Sequence, residues 1–67
     1  MARKNDNRDI VAVTCYYKTK FWDRKEAMAF YLEGMACSDG WERERYTEIY
    51  FQLANGVKHA TDEVLFN

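Results

Sequence analysis

Two helix-start signatures, Asp23-Arg24-Lys25-Glu26 and Asp39-Gly40-Trp41-Glu42, followed by one Asn55-Gly56 stop, constrain this chain more than any other feature. In each signature an Asp that can accept from first-turn amides precedes a Glu at the third helical position, a capping box in its acidic form, and Trp22 stands at the staple position of the first. Ser38-Asp39-Gly40 is turn chemistry, so the spacing predicts a first helix ending near Ala36 or Cys37 and a second running from about Gly40 to Asn55. Two helices joined by about three residues must fold back into a hairpin. At about 100° per residue, Ala27, Met28, Tyr31, Leu32 and Met35 share one stripe of the first helix, and Tyr46, Ile49, Tyr50, Leu53 and Ala54 share one stripe of the second.

Before the helices, residues 9–17 switch to Ile, Val, Thr, Cys and Tyr, which favour strands. Val11, Val13, Cys15 and Tyr17 lie on one face, and Ile10, Ala12, Thr14 and Tyr16 on the other. A strand needs partners for its backbone groups, and they must come from residues 18–22, from the C-terminal tail or from another copy. The tail ends in Val64-Leu65-Phe66, which suits an edge strand or a short helix capped by Thr61 or Asp62, the strand being preferred. The expected fold is therefore α+β: a small sheet, made of an N-terminal strand or hairpin plus a C-terminal strand, packed on an antiparallel helical hairpin. Residues 1–9 read as a polar arm and residues 10–67 as a single domain. With no proline in the chain, Gly34, Gly40 and Gly56 are its dividers.

At 67 residues there is room for one small domain, and 48% hydrophobic with 16% aromatic residues is enough to give it a core and to exclude disorder. No apolar run approaches the length of a secretory signal or a membrane span, and two cysteines outside a C-x-x-C pair suit reduced thiols in a cytoplasmic protein. A formal charge of -1 supplies no global field towards nucleic acid or an anionic membrane. The charges are nevertheless uneven: seven of the ten basic residues precede Glu26, against three of the eleven acidic ones. Lys18, Lys20, Arg24 and Lys25 are thus the residues a nucleic-acid-binding or nucleotide-binding alternative would use. Against that alternative, Glu42, Glu44 and Glu48 would repel phosphates from the second helix.

Cys15, Cys37, His59 and Asp62 match no metal-ligand spacing, and no phosphate-binding glycine loop is present, so neither metal nor cofactor is expected. His59 lacks an obvious nucleophile, and a Cys37–His59 pair would have little chain left to build a pocket, so the reading is a binding protein and not an enzyme. Phe51 projects roughly 150° from the centre of the apolar stripe, beside Glu44, Thr47 and Glu48, and Trp41 is also off the stripe. With Arg43 and Arg45 nearby, Trp41 and Phe51 have the composition of a protein-binding hot spot. The same aromatics would also serve a homodimer contact, or be covered by the tail.

Between residues 30 and 62, the run Met35-x-Cys37-Ser38-x-Gly40-x-Glu42-Arg43-x-Arg45-Tyr46-Thr47-x-Ile49-Tyr50-x-x-Leu53-x-x-Gly56, followed by Thr61-Asp62-Glu63, resembles short uncharacterised proteins carried by bacteriophages and mobile elements of gut and Gram-positive bacteria. The resemblance covers about half of the chain. It implies an accessory role inside a host bacterial cell, where small inhibitors of defence systems, anti-CRISPR proteins included, cover a surface of a larger host protein or ribonucleoprotein. Such inhibitors share no motif, so no functional residue carries over. The motif also admits a structural reading, in which Arg45, Tyr46 and Asp62 fix the hairpin to the sheet.

Overall fold

The structure, a computed structural model, describes residues 9–66, the side chain of Phe66 excepted, so the expected polar arm lies outside the described residues apart from Asp9. The chain runs β1 (Ile10–Cys15), β2 (Lys18–Asp23), α1 (Arg24–Cys37), α2 (Gly40–Ala54) and β3 (His59–Thr61), and closes with a 3₁₀ turn over Glu63–Phe66. The sheet has the order β2-β1-β3, with β1 antiparallel to β2 and parallel to β3. Both partners expected for β1 within the chain are therefore used, and the fold is the α+β arrangement of a helical hairpin on a small sheet. The tail divides its two options: its strand is the earlier His59–Thr61, and Val64-Leu65-Phe66 lies in the 3₁₀ turn, where Thr61 Oγ1 accepts from the Glu63 amide.

Alternation along β1 turns Val11 and Val13 inward, and Ala60 of β3 joins them, so that these three meet Ala27 and Tyr31 of α1 and Ile49 and Leu53 of α2 in one core. Trp22, Met28, Tyr46 and Tyr50 pack around its margin, and Tyr31 lies between the rings of Phe30 and Tyr46 at centroid distances of 5.0 and 5.5 Å. The stripes read from helical spacing are wider than the faces that are covered. Leu32 and Ala54 are exposed, because α1 turns Ala27 and Tyr31 inward and α2 turns Arg45, Ile49 and Leu53.

The caps follow the sequence signals in part. Asp23 caps α1 through its side chain, which accepts from the Lys25 amide at 3.0 Å. Asp39 occupies the N-cap of α2 but makes no side-chain cap bond there, while Ser38 Oγ donates back to the Gly34 carbonyl. At the far end of α2, Gly56 sits at φ +87 and donates to the Leu53 carbonyl, and Val57 donates to that of Gln52, the paired bonds of a Schellman stop. Gly34 is no divider. It lies inside α1 where Tyr46 of α2 crosses it, so closely that a Cβ there would sit 2.8 Å from Tyr46 Cδ2.

Arg24 ties the ends of three elements together. Its Nη1 donates to the carbonyls of Leu53 and Val57, its Nε pairs with Asp9 at 2.5 Å, and its amide donates to the Asp9 carbonyl. The Arg24 Nε bond to Oδ2, and then the Lys58 Nζ bond to Oδ1, hold the Asp9 carboxyl down at about 2 from 3.8. A carboxyl depressed in the folded state stabilises the fold above its unfolded value and stops doing so as pH falls through the folded one. Acid titration of the folded chain should therefore show stability falling between pH 3.8 and about 2. Asp9→Asn should flatten that segment of the curve, measured by urea midpoints at each pH, while an unchanged slope would mean that the clamp does not form.

Candidate binding surface

The loop between β1 and β2 is two residues long, and both of them, Tyr16 at φ 56 and Tyr17 at φ 68, are left-handed, as a type I′ hairpin turn demands. Asn or Gly would take those angles without strain, whereas each tyrosine costs about 1–3 kcal/mol. The site that holds them is built from α2 and the chain after β3. The Tyr16 amide donates to Asp62 Oδ2 at 3.3 Å, and the Tyr16 ring lies 4.0 Å from the Arg45 guanidinium carbon. Arg45 Nη1 in turn donates to the same Asp62 oxygen at 2.5 Å, with Asp62 fully buried and Arg45 at 6% exposure.

Arg45 is thus placed inside the molecule. Of the four residues grouped as a partner-binding set, it is separated from Trp41, Arg43 and Phe51 and does the work of the structural alternative, fixing the hairpin to the sheet. Helical spacing placed it near Trp41, but could not show that Asp62 would arrive to compensate a buried charge.

Burial first, and the neighbouring Asp62 charge second, push the Cys15 thiol up to about 11 from 9.0. Thiolate is the reactive form and its fraction falls about 100-fold, partly offset by the greater nucleophilicity of a more basic thiolate, so Cys15 should be alkylated at least about tenfold more slowly in the folded than in the unfolded chain. Cys37, exposed at the end of α1, should be labelled first. Timed iodoacetamide labelling read by mass spectrometry checks this, and equal rates at both cysteines would contradict the burial of Cys15. No Cys37–His59 pair forms: His59 Nε2 is bonded to Thr14 Oγ1 at 2.7 Å across the sheet. Among the described residues no cluster of His, Cys, Asp and Glu could hold a metal ion.

The outward face of α2 does assemble. Arg43, Glu44, Thr47, Glu48 and Phe51, with Leu65 from the closing turn, line an open groove of about 350 Å³. Phe51 is 56% exposed, with the Tyr50 ring beside it at 6.2 Å. Several walls are held in place: Arg43 Nε donates to the Ser38 carbonyl, Thr47 Oγ1 to the Arg43 carbonyl, and Gln52 Nε2 to Glu48 Oε2. Trp41, half exposed, does not line the groove and lies one flank away on the helix. Leu65 comes from the tail, which the sequence allowed as a covering for these aromatics, and its placement here depends on the turn that follows β3.

The basic set is divided. Arg24 is drawn into the clamp on Asp9, Lys20 Nζ lies 4.1 Å over the Trp22 ring, and Lys18 and Lys25 are exposed. No helix among the described residues is long and apolar enough to cross a membrane. Comparison with family models, with curated proteins and with solved structures finds no match for this chain.

Proposed function

We propose that this chain is a non-catalytic binding module that docks on a larger protein through the outward face of α2, with Phe51 as its apolar anchor, Arg43 beside it and Trp41 on the flank. The observation that carries this reading is the exposed Phe51 in a groove where the Thr47 and Glu48 walls are already held by hydrogen bonds within the helix. An aromatic anchor on a pre-organised surface loses little freedom on binding, which is the usual character of a hot spot. The resemblance of residues 30–62 to phage and mobile-element proteins supports a finer reading: an accessory protein that inhibits a host defence protein or ribonucleoprotein.

The test is affinity capture from bacterial lysate, followed by nuclease treatment, with the wild-type chain and with Arg43→Ala/Phe51→Ala. A defined protein retained by the wild type and lost by the double variant is the expected result. Equal retention by both, or loss of all bound material on nuclease treatment, would overturn it, the latter in favour of a nucleic-acid ligand.

A further inference from the structure

The two edges of the sheet are treated differently. On β3 the backbone of Thr61 faces away from β1, and the Gln52 side chain covers it, accepting from the Thr61 amide at 3.1 Å and donating to its carbonyl at 2.8 Å. On β2 the outward groups are identified by the ladder. Arg24 N–H donates to the Asp9 carbonyl one step beyond the Ile10↔Asp23 pair, while Ala12 N–H and the Thr14 carbonyl serve β3. Bonded and non-bonded pairs alternate along an antiparallel ladder, so Lys18, Lys20 and Trp22 bond to β1 and the backbones of Thr19 and Phe21 point away from the sheet. Among the described residues nothing covers them, and Phe21 is 71% exposed.

We propose that a second copy of this chain occupies that edge, β2 pairing antiparallel with β2 about a two-fold axis at Phe21. Charge chooses this register. Centring the pairing on Lys20 would set two lysines directly opposite each other, which is destabilising. Centring it on Phe21 places Lys20 opposite Trp22 of the second copy, repeating the cation–π contact that Lys20 already makes within its own chain at 4.1 Å. It also brings Thr19 opposite the Asp23 carboxylate. On the face away from the helices, the two Phe21 rings meet and Ile10, 47% exposed, extends the apolar strip on either side. Edge lysines ordinarily discourage pairing, and in this register the one basic pair, Lys18 opposite Arg24, falls at the strand ends, where Asp9 already answers the Arg24 charge. Within each copy α1 packs on β1 and β2 whereas α2 packs on β3, so both α2 grooves stay exposed in the dimer.

Light scattering at submillimolar concentration should give twice the 8.0 kDa chain mass. The mass should halve in Phe21→Pro, which removes an amide that β1 does not use, and in Phe21→Glu, which repels across the axis and keeps every backbone donor. Far-UV circular dichroism shows whether each variant is folded. In a Cys37→Ser background, Phe21→Cys should oxidise to a cross-linked dimer, and Lys20→Cys should do so at least tenfold more slowly. A wild type that is monomeric throughout, a dimer that survives in the folded Phe21→Glu variant, or faster cross-linking through Lys20→Cys would overturn the proposal.

Discussion

Asp62→Ala should abolish cooperative folding at room temperature. The Asp62 carboxylate, fully buried, answers the Arg45 guanidinium at 2.5 Å and holds the Tyr16 amide of the strained turn. Burial works against the Arg45 charge, and Asp62 first, with Tyr16 and Cys15, more than offsets it. Removing one partner of a buried pair leaves the other charged and desolvated, at about 3–5 kcal/mol. A core in a chain of this size rarely supplies more than about 3–5 kcal/mol, so the loss consumes most of the stability. Urea unfolding followed by circular dichroism measures it. The double variant Arg45→Met/Asp62→Leu should recover much of the loss, because apolar replacement of both partners leaves no orphaned charge. A transition in Asp62→Ala within about 1 kcal/mol of the wild type would mean that the pair does not hold the hairpin to the sheet.

The second large effect belongs to Gly34→Ala, whose sign is the informative part. In an exposed helix interior this change stabilises by about 0.5–1 kcal/mol, because alanine loses less chain entropy. At Gly34 the new methyl meets the Tyr46 ring, at 2.8 Å from Cδ2 and 3.0 Å from Cε2. That ring is packed against Tyr31, and its hydroxyl donates to Glu42 at 2.9 Å, so it has little room to withdraw. Overpacking costs about 1–3 kcal/mol and outweighs the helical gain. The melting temperature should fall, by about 4–8 °C for each kcal/mol lost. In a Tyr46→Ala background the same substitution should turn stabilising, and the coupling read from the double-mutant cycle measures the helix–helix contact. A rise in melting temperature on Gly34→Ala alone would contradict the close crossing.

Much of this architecture was legible because it is local. Asp23, the Asn55-Gly56 stop and the alternation of Val11 and Val13 each act within a few residues, and each appears in the fold as its chemistry requires. The features that escaped depend on residues distant in sequence. Tyr16 and Tyr17 carry no turn signal in their own chemistry, and the contacts that hold Tyr16 at its left-handed angle come from Asp62 and Arg45, far along the chain. Gly34 reads as a divider until α2 crosses it, and Arg45 reads as a surface charge until the chain after β3 delivers Asp62.

The candidate surface was partly readable for the same reason. Phe51 and Arg43 share a helix face with Glu44, Thr47 and Glu48, so periodicity alone groups them. Leu65 joins from another element, and Arg45 leaves for the interior.

The central proposal is that a larger protein docks on the outward face of α2. The most direct measurement is a calorimetric titration of the captured protein with wild-type chain and with Phe51→Ala. Removing a central aromatic anchor costs more than about 1.4 kcal/mol, so binding should weaken at least tenfold while the melting temperature of the free chain is unchanged. Equal affinities for the two chains would contradict the assignment of that face.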